Sequence, residues 1–203
     1  MGREESPAPG TQPSPGQILT VRRLIIGFAF LSFFFFLAAF TIYKFAKSTI
    51  VEDPAKKAAL AAEIAPGAVP PPGFDPGEAF TIGMRGVTYH DKDKTRLIMM
   101  LENPAPKQKL TLQDYRAKQD AKSKALVDKQ STPEMATHLG PIQVLQRQVH
   151  FPDGRTKIDF LVLAQNPKLP NKFITIMADA PVTPEEDGKF LADYLSHLDI
   201  TAW

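Results

Sequence analysis

His90, Asp91 and Asp93 lie close together in the segment His90-Asp91-Lys92-Asp93-Lys94, and imidazole and carboxylate are donor types that hold divalent cations. They form the compact group in this chain that offers metal-ligand chemistry. Two features argue for a different role. Lys92 and Lys94 alternate with the acids, and the spacing matches no established ligand motif. Aspartate is also frequent in hairpin turns, where its side chain caps its own backbone. His138, His150 and His197 are far apart in sequence and read as surface or edge residues. Ser131 and Ser196 lack the Gly-x-Ser-x-Gly setting of an activated hydroxyl. Gly83-x-x-Gly86 lacks the third glycine and the strand-then-helix context of a phosphate loop. Met99, Met100 and Met177 read as core filling. The chain has no cysteine, which excludes disulfides, thiolate metal sites and a cysteine nucleophile. No pair of carboxylates is placed for acid–base work, so the sequence yields no catalytic residue and no cofactor.

What must position any such residues begins with Leu24 to Tyr43, a run without a charge that contains four consecutive phenylalanines, Phe33 to Phe36. At about 1.5 Å rise per residue, such a run matches the ~30 Å hydrocarbon core of a bilayer. It is longer than the apolar region of a cleaved signal, and Ala38-Ala39 lies inside it rather than after it. The expectation is a single-pass, uncleaved signal anchor, with the bilayer as one partner. Arg22 and Arg23 before the span nearly balance Lys44 and Lys47 after it. The short N-terminal tail is the easier part to leave in the cytoplasm. The expected location is the cell inner membrane, with the C-terminal domain periplasmic or otherwise extracytoplasmic.

Charge divides unevenly among the 203 residues. Residues 1–47 carry five basic and two acidic side chains, leaving the remainder at −1. A near-neutral domain lacks the clustered basic face that nucleic-acid binding needs. The Lys-rich stretch at Lys118, Lys122, Lys124 and Lys129 is interleaved with Asp114, Asp120 and Asp128 and reads as a solvated face. Four regions follow: a Pro-rich tail over 1–20, a transmembrane helix over 21–47, an Ala-rich segment and Pro-rich linker over 48–77, and one α+β domain over 78–203. Pro66 to Gly73 reads as an extended polyproline spacer.

Within the domain, Phe80 to Tyr89 reads as a strand whose two glycines mark a bulge or a close approach. It is joined by the turn at 90–94 to a second strand over Thr95 to Leu101. Thr111 with Asp114 marks the start of a helix over Leu112 to Lys129. Its stripe Leu112, Tyr115, Gln119, Lys122, Leu126 is apolar only at the ends, so loose docking is expected. Strands follow over Ile142–Phe151, Thr156–Ala164 and Phe173–Ala178, the first two joined at Asp153-Gly154. Ile158, Phe160 and Val162 share one face while Leu161 and Leu163 occupy the other, which predicts a central strand covered on both sides. Thr183-Pro184-Glu185-Glu186 reads as a capping box that opens a last helix, with Phe190, Leu191, Tyr194, Leu195 and Leu198 as its core stripe. The fold class is α+β, in the order ββ-α-βββ-α, with an antiparallel sheet packed against two helices.

That order resembles the PsbP-like α/β/α sandwich over residues 78–203. The resemblance is carried by the hairpin ending at Met99-Met100-Leu101, the helix introduced by Leu110-Thr111-Leu112-Gln113-Asp114-Tyr115, the three-strand run, and the closing Tyr194-Leu195-Ser196-His197-Leu198. It implies scaffolding or accessory binding rather than catalysis, and assigns no residue a role. The leading expectation is a membrane-anchored accessory or assembly subunit whose exported domain binds another membrane protein. The alternative is a tethered domain that encloses a small ligand or lipid between the sheet and the helix beginning at Leu112. A hydrolase is the third.

Overall fold

The computed structural model describes residues 49–203 except 82, 124 and 184–187, together with Phe28, residues 32–41 and Lys44 of the preceding stretch. Contacts divide the chain into two compact units, Met1–Ser48 and Thr49–Trp203. In the first unit, residues 32–41 are helical and Phe33 to Phe36 are 59–71% exposed. Among the described residues no helix is long and apolar enough to cross a membrane. Much of the span expected over Leu24–Tyr43 lies outside the described residues.

The second unit opens with α1 (Pro54–Ile64), whose N-terminus is capped by the Asp53 carboxylate, which accepts from the N–H groups of Ala55 (2.8 Å) and Lys56 (3.1 Å). Asp followed by Pro at the first helical position satisfies one end of a helix at little cost. Strands β1 (Phe74–Phe80), β2 (Arg85–Asp91) and β3 (Leu97–Pro104) come next, then α2 (Leu112–Ser123). After β4 (Leu126–Ser131), a small hairpin of β5 (Glu134–Thr137) and β6 (Gly140–Gln143) precedes the long strands β7 (Leu145–His150), β8 (Thr156–Gln165) and β9 (Lys172–Pro181). Helix α3 (Lys189–Ser196) and the short β10 (Thr201–Ala202) complete the unit. The main sheet is antiparallel throughout in the order β1-β2-β3-β9-β8-β7-β4, with β10 paired to the end of β8.

Alternation along β8 sets the layers. Ile158, Phe160, Val162 and Ala164 face a large core completed by α1 and α3, whereas Leu161 and Leu163 face a smaller one completed by Leu110, Leu112 and Tyr115 of the α2 region. The central strand expected to be covered on both faces is therefore β8, between β9 and β7. In α3, Leu191, Tyr194 and Leu195 are buried, as is Leu198 just beyond it. Phe190 is half-buried. It stacks on Phe74 (centroids 5.7 Å, planes 7° apart) and meets Phe160 edge-on at 5.8 Å.

Several sequence expectations are corrected by this arrangement. The Ala-rich segment and the Pro-rich stretch expected to be a linker are part of the fold: Leu60, Ala61, Ile64, Ala65 and Ala68 belong to the main core. Small alanines let α1 lie close against the sheet, and the Asp199 N–H donates to the Pro66 carbonyl (2.8 Å), which fixes the supposed spacer in place. The strand expected over 80–89 is two strands, because Gly83 adopts φ +63° in the turn that reverses the chain between β1 and β2. The close approach expected of these glycines is found at Gly86, where an added Cβ would lie 2.6 Å from the Phe80 ring.

The helix expected to reach Lys129 ends at Ser123, and the residues after it pair with β7 as β4, where the sheet edge offers the backbone partners that an exposed last turn would lack. The strand over 142–151 is interrupted at Val144, whose N–H donates to the Pro133 carbonyl (2.9 Å) instead of the sheet. Most of the capping box at Thr183–Glu186 lies outside the described residues, and α3 begins after Gly188.

The half-buried ring sandwich at Phe190 yields a stability test. Phe190→Ala should lower unfolding free energy by about 2–3 kcal/mol, at or below the range for fully buried Phe→Ala changes. Urea denaturation of the full chain, followed by far-UV circular dichroism, measures it.

Candidate functional site

Helix α2 is poor in apolar side chains, so a hydrophobic stripe alone does not hold it. Its first turn is capped from Thr111, whose hydroxyl accepts from the Asp114 N–H (3.1 Å) and donates to the Asp114 carboxylate (2.7 Å). One turn apart further along, Arg116 and Asp120 face the sheet and meet a buried ion pair. Arg147 of β7 and Asp159 of β8 stand opposite each other in the strand register, with side chains only 3% and 4% exposed. Arg147 donates to Asp159 (3.0 and 3.1 Å) and to Asp120 (2.6 and 3.1 Å), and Arg116 also donates to Asp159. Burial disfavours the Arg147 charge, but the Asp159 and Asp120 carboxylates outweigh it and hold its pKa above the ordinary value. Each charge is compensated by an opposite one, which is the condition for tolerating ions at this depth. The loose docking expected of this helix is found, with none of its described residues fully buried, and a charge lock supplies what apolar contact does not.

At the other end of α2 the packing opens. A cavity of about 420 Å³ lies between the first turn of the helix and the sheet, floored by Leu110, Leu112, Ile142 and Leu163 and walled by Trp203. Its polar rim includes Lys109 and Gln143. The Trp203 ring rests on Phe173 (centroids 5.1 Å), and its buried Nε1 finds no acceptor among the described residues.

A second buried charge sits where β3 meets α1. Glu102 accepts from Arg85 (2.6 and 3.0 Å) and from Lys172 (2.5 Å), while Arg85 also reaches Glu63 (2.6 Å). Burial pushes the Glu102 pKa up, but hydrogen bonds from Arg85 and Lys172 prevail and leave it below the ordinary value.

The residues singled out from the sequence fall elsewhere. His90, one residue before the end of β2, lines an open groove with Thr88, Lys94 and Arg96. Asp91 faces the turn: its carboxylate accepts from the Thr95 N–H and hydroxyl (both 2.7 Å) and the Arg96 N–H (3.0 Å). Partial burial opposes its ionisation, yet these donors hold its pKa below the ordinary value. Asp93 is exposed in the same turn. Asp91 therefore does the work of turn closure, and among the described residues no group of three or more His, Asp or Glu side chains converges as a metal site.

His138 pairs with Asp199 at the surface (2.9 Å), His150 is exposed at the end of β7, and the ring of His197 lies 2.7 Å from the Asp193 carbonyl. Ser196 donates to that same carbonyl (2.7 Å), so its proximity to His197 closes the helix end rather than forming a nucleophile and base. Ser131 is exposed at the end of β4.

Sequence reasoning missed Arg116, Asp120, Arg147 and Asp159. Their signal was present: Arg147 interrupts the alternating Leu145 and Val149, and Asp159 interrupts the apolar run Ile158–Leu163. Opposite charges placed inside two core strands read as a pair.

No family model matches the chain, and no curated protein matches it. Among solved structures it is similar to the solution structure of cyanobacterial PsbP (CyanoP) from Synechocystis sp. PCC 6803, at 16% identity and a TM-score of 0.36. The match covers 64% of this chain and 87% of that one. The neighbour bears the name of the family that the element order resembles, but at that TM-score the likeness carries no argument about fold or activity.

Two tests follow from the buried charges. Arg147→Met or Asp159→Leu alone should each cost about 3–5 kcal/mol, because each strands a buried partner. The double variant should recover much of that loss, and a double-mutant cycle from urea denaturation measures the coupling. Glu102 sets a pH dependence. Because its folded pKa is depressed, its contribution is complete above the ordinary glutamate pKa and is lost as pH falls through the lower folded value. Glu102→Gln should flatten the acid limb of a stability–pH profile, as read by thermal melts on acidification.

Proposed function

We propose that this chain is a single-pass, membrane-anchored binding protein. An apolar helix over 24–43 holds it in the cell inner membrane, and the α+β domain, on the extracytoplasmic side, contacts another protein of that membrane as an accessory or assembly subunit. The observation that carries the reading is the helical run at 32–41, with Phe33 to Phe36 all exposed around its circumference. Four exposed phenylalanine rings are costly in water and favourable in hydrocarbon. Thr41 in the same run donates to the Leu37 carbonyl (2.8 Å), which satisfies its hydroxyl without water, as lipid requires. In the domain, the buried ionised groups are committed to one another, which favours binding over acid–base chemistry.

A second reading, a tethered domain for a small apolar ligand, is favoured by the cavity beneath the first turn of α2. Its volume and largely apolar floor match ordinary small-molecule sites.

The anchor is tested in membranes of cells expressing the full chain. The protein should stay in the pellet after alkaline carbonate extraction, and Phe34→Asp with Phe36→Asp should move it to the supernatant. Release of the unaltered chain by carbonate would overturn the anchor. External protease on spheroplasts should then degrade the domain, and full protection would reverse the orientation.

A further inference from the structure

We propose that the end of the sheet where the chain enters the domain rests on the bilayer surface, with the uncharged β1–β2 turn in the headgroup layer and Lys107, Lys109 and Lys168 on acidic phospholipid headgroups. The proposal rests on the anchor reading above and adds a second surface by which the same chain meets the membrane.

Connectivity selects this end. Thr49 is already part of the domain: it is buried, and its carbonyl accepts from the Thr81 N–H (3.1 Å) in the β1–β2 turn. Ile50 pairs with Phe80. Six residue steps separate Tyr43 from Thr49, at no more than about 3.6 Å each, so an anchored chain holds Thr49 within about 20 Å of the hydrocarbon. The headgroup layer itself takes up roughly 5–8 Å of that distance.

Charge points the same way. Antiparallel pairing brings three connections to this end: the β1–β2 turn, the loop 105–111 between β3 and α2, and the loop 166–171 between β8 and β9. The two loops touch, since the Ala105 N–H donates to the Asn171 carbonyl (3.0 Å). None of the three segments holds an acidic residue. Lys107, Lys109 and Lys168 are exposed in them and form no ion pair among the described residues. Glu102 and Glu63, which border this end, are held by Arg85 and Lys172. An α-carboxylate on Trp203, whose N–H donates to the Leu163 carbonyl two residues before the end of β8, offsets one lysine of the three. The opposite end mixes its signs: Asp91 and Asp93 alternate with Lys92, Lys94 and Arg96, and Asp153 pairs with Arg155 (2.7 Å).

The turn Thr81-Ile82-Gly83-Met84 is uncharged, and Met84 and Ile50 are 39% and 51% exposed. Apolar side chains flanked by lysines are the composition that settles at an acidic lipid interface. Each contact is weak, but a tether raises the effective concentration of the surface, so weak contacts suffice.

The chain has no cysteine, so one introduced cysteine carries a unique reporter. The full chain is labelled with the fluorophore NBD at Met84→Cys or, as a control in the opposite turn, at Asp93→Cys. Each is reconstituted into phosphatidylcholine vesicles with and without phosphatidylglycerol, and quenched by lipids carrying a nitroxide near the headgroup. In the acidic vesicles the label at Met84→Cys should shift to the blue and be quenched, and the label at Asp93→Cys should do neither. Lys107→Glu, Lys109→Glu and Lys168→Glu together should weaken docking about a hundredfold, at roughly fivefold for each lysine, and bring quenching at Met84→Cys down to the control. Quenching at Met84→Cys that is equal in both vesicles and untouched by the lysine substitutions would overturn the assignment to acidic lipid. A chain that floats with the vesicles after carbonate but is quenched no more at Met84→Cys than at Asp93→Cys would overturn the docked surface and leave the anchor standing. A chain that does not float would remove both.

Discussion

Strand β8 buries seven consecutive residues, Ile158 to Ala164, and the rest of the domain follows from that demand. A strand that is apolar on both faces must be central in its sheet and covered on both sides. On one side the cover is abundant: α1, α3 and the β5–β6 hairpin converge on a core that includes Phe160, Val162 and Ala164. On the other, the cover is sparse, a single helix low in apolar residues and one tryptophan. The asymmetry divides the work, with a dense layer that sets stability and a thin layer where a cavity persists.

The thin layer is held by ions because it cannot be held by hydrocarbon. Arg147 and Asp159 sit in the two strands beneath α2 and bind Asp120 and Arg116 of the helix. Buried pairs of this kind add little net stability compared with apolar replacements, but they are strongly directional. A charge lock therefore fixes where the middle of α2 lies while leaving its first turn free of dense packing. The sheet edges are managed as carefully. Residues 49–51 cover the β1 edge through the Val51 N–H to the Ala79 carbonyl and the Thr81 N–H to the Thr49 carbonyl. The β4 edge is short, carries Asp128 and Lys129, and has a register shift between Val127 and Lys129. Bulges and charges at an edge discourage pairing with another chain.

Much of this was legible in the sequence. The alternation within β8 placed it at the centre, Asp153-Gly154 marked the β7–β8 hairpin, and the recurrence of Leu191, Tyr194, Leu195 and Leu198 located the closing helix. What escaped had physical causes. The alanines of α1 carry too little apolar surface to signal a core face, yet their smallness is what lets the helix sit close to the sheet. Leu126 and Val127 extended a helical composition that ends sooner, because the choice between a last helical turn and an edge strand depends on a partner strand far along the chain. The Asp91 turn, by contrast, was readable as a self-capping loop, and its carboxylate accepts from Thr95 and Arg96. A space between the sheet and the helix beginning at Leu112 was among the sequence expectations, but its lining was not, since it is assembled from residues distant in sequence.

The contact at Gly67 has a consequence for how the domain is made. A side chain there would put a Cβ 2.0 Å from the His197 carbonyl oxygen, and next to it Asp199 binds Pro66 across the same seam. Asn166 likewise donates to the carbonyl of Ile64, again joining α1 to a distant part of the chain. Such closures between early and late residues raise contact order and slow the search for the native topology. A growing polypeptide cannot seat α1 fully until residues 197–199 have been synthesised, so folding completes late rather than stepwise from the first helix. Until then the chain stays open and extensible, the form in which a polypeptide is most easily threaded, held by a chaperone, or degraded.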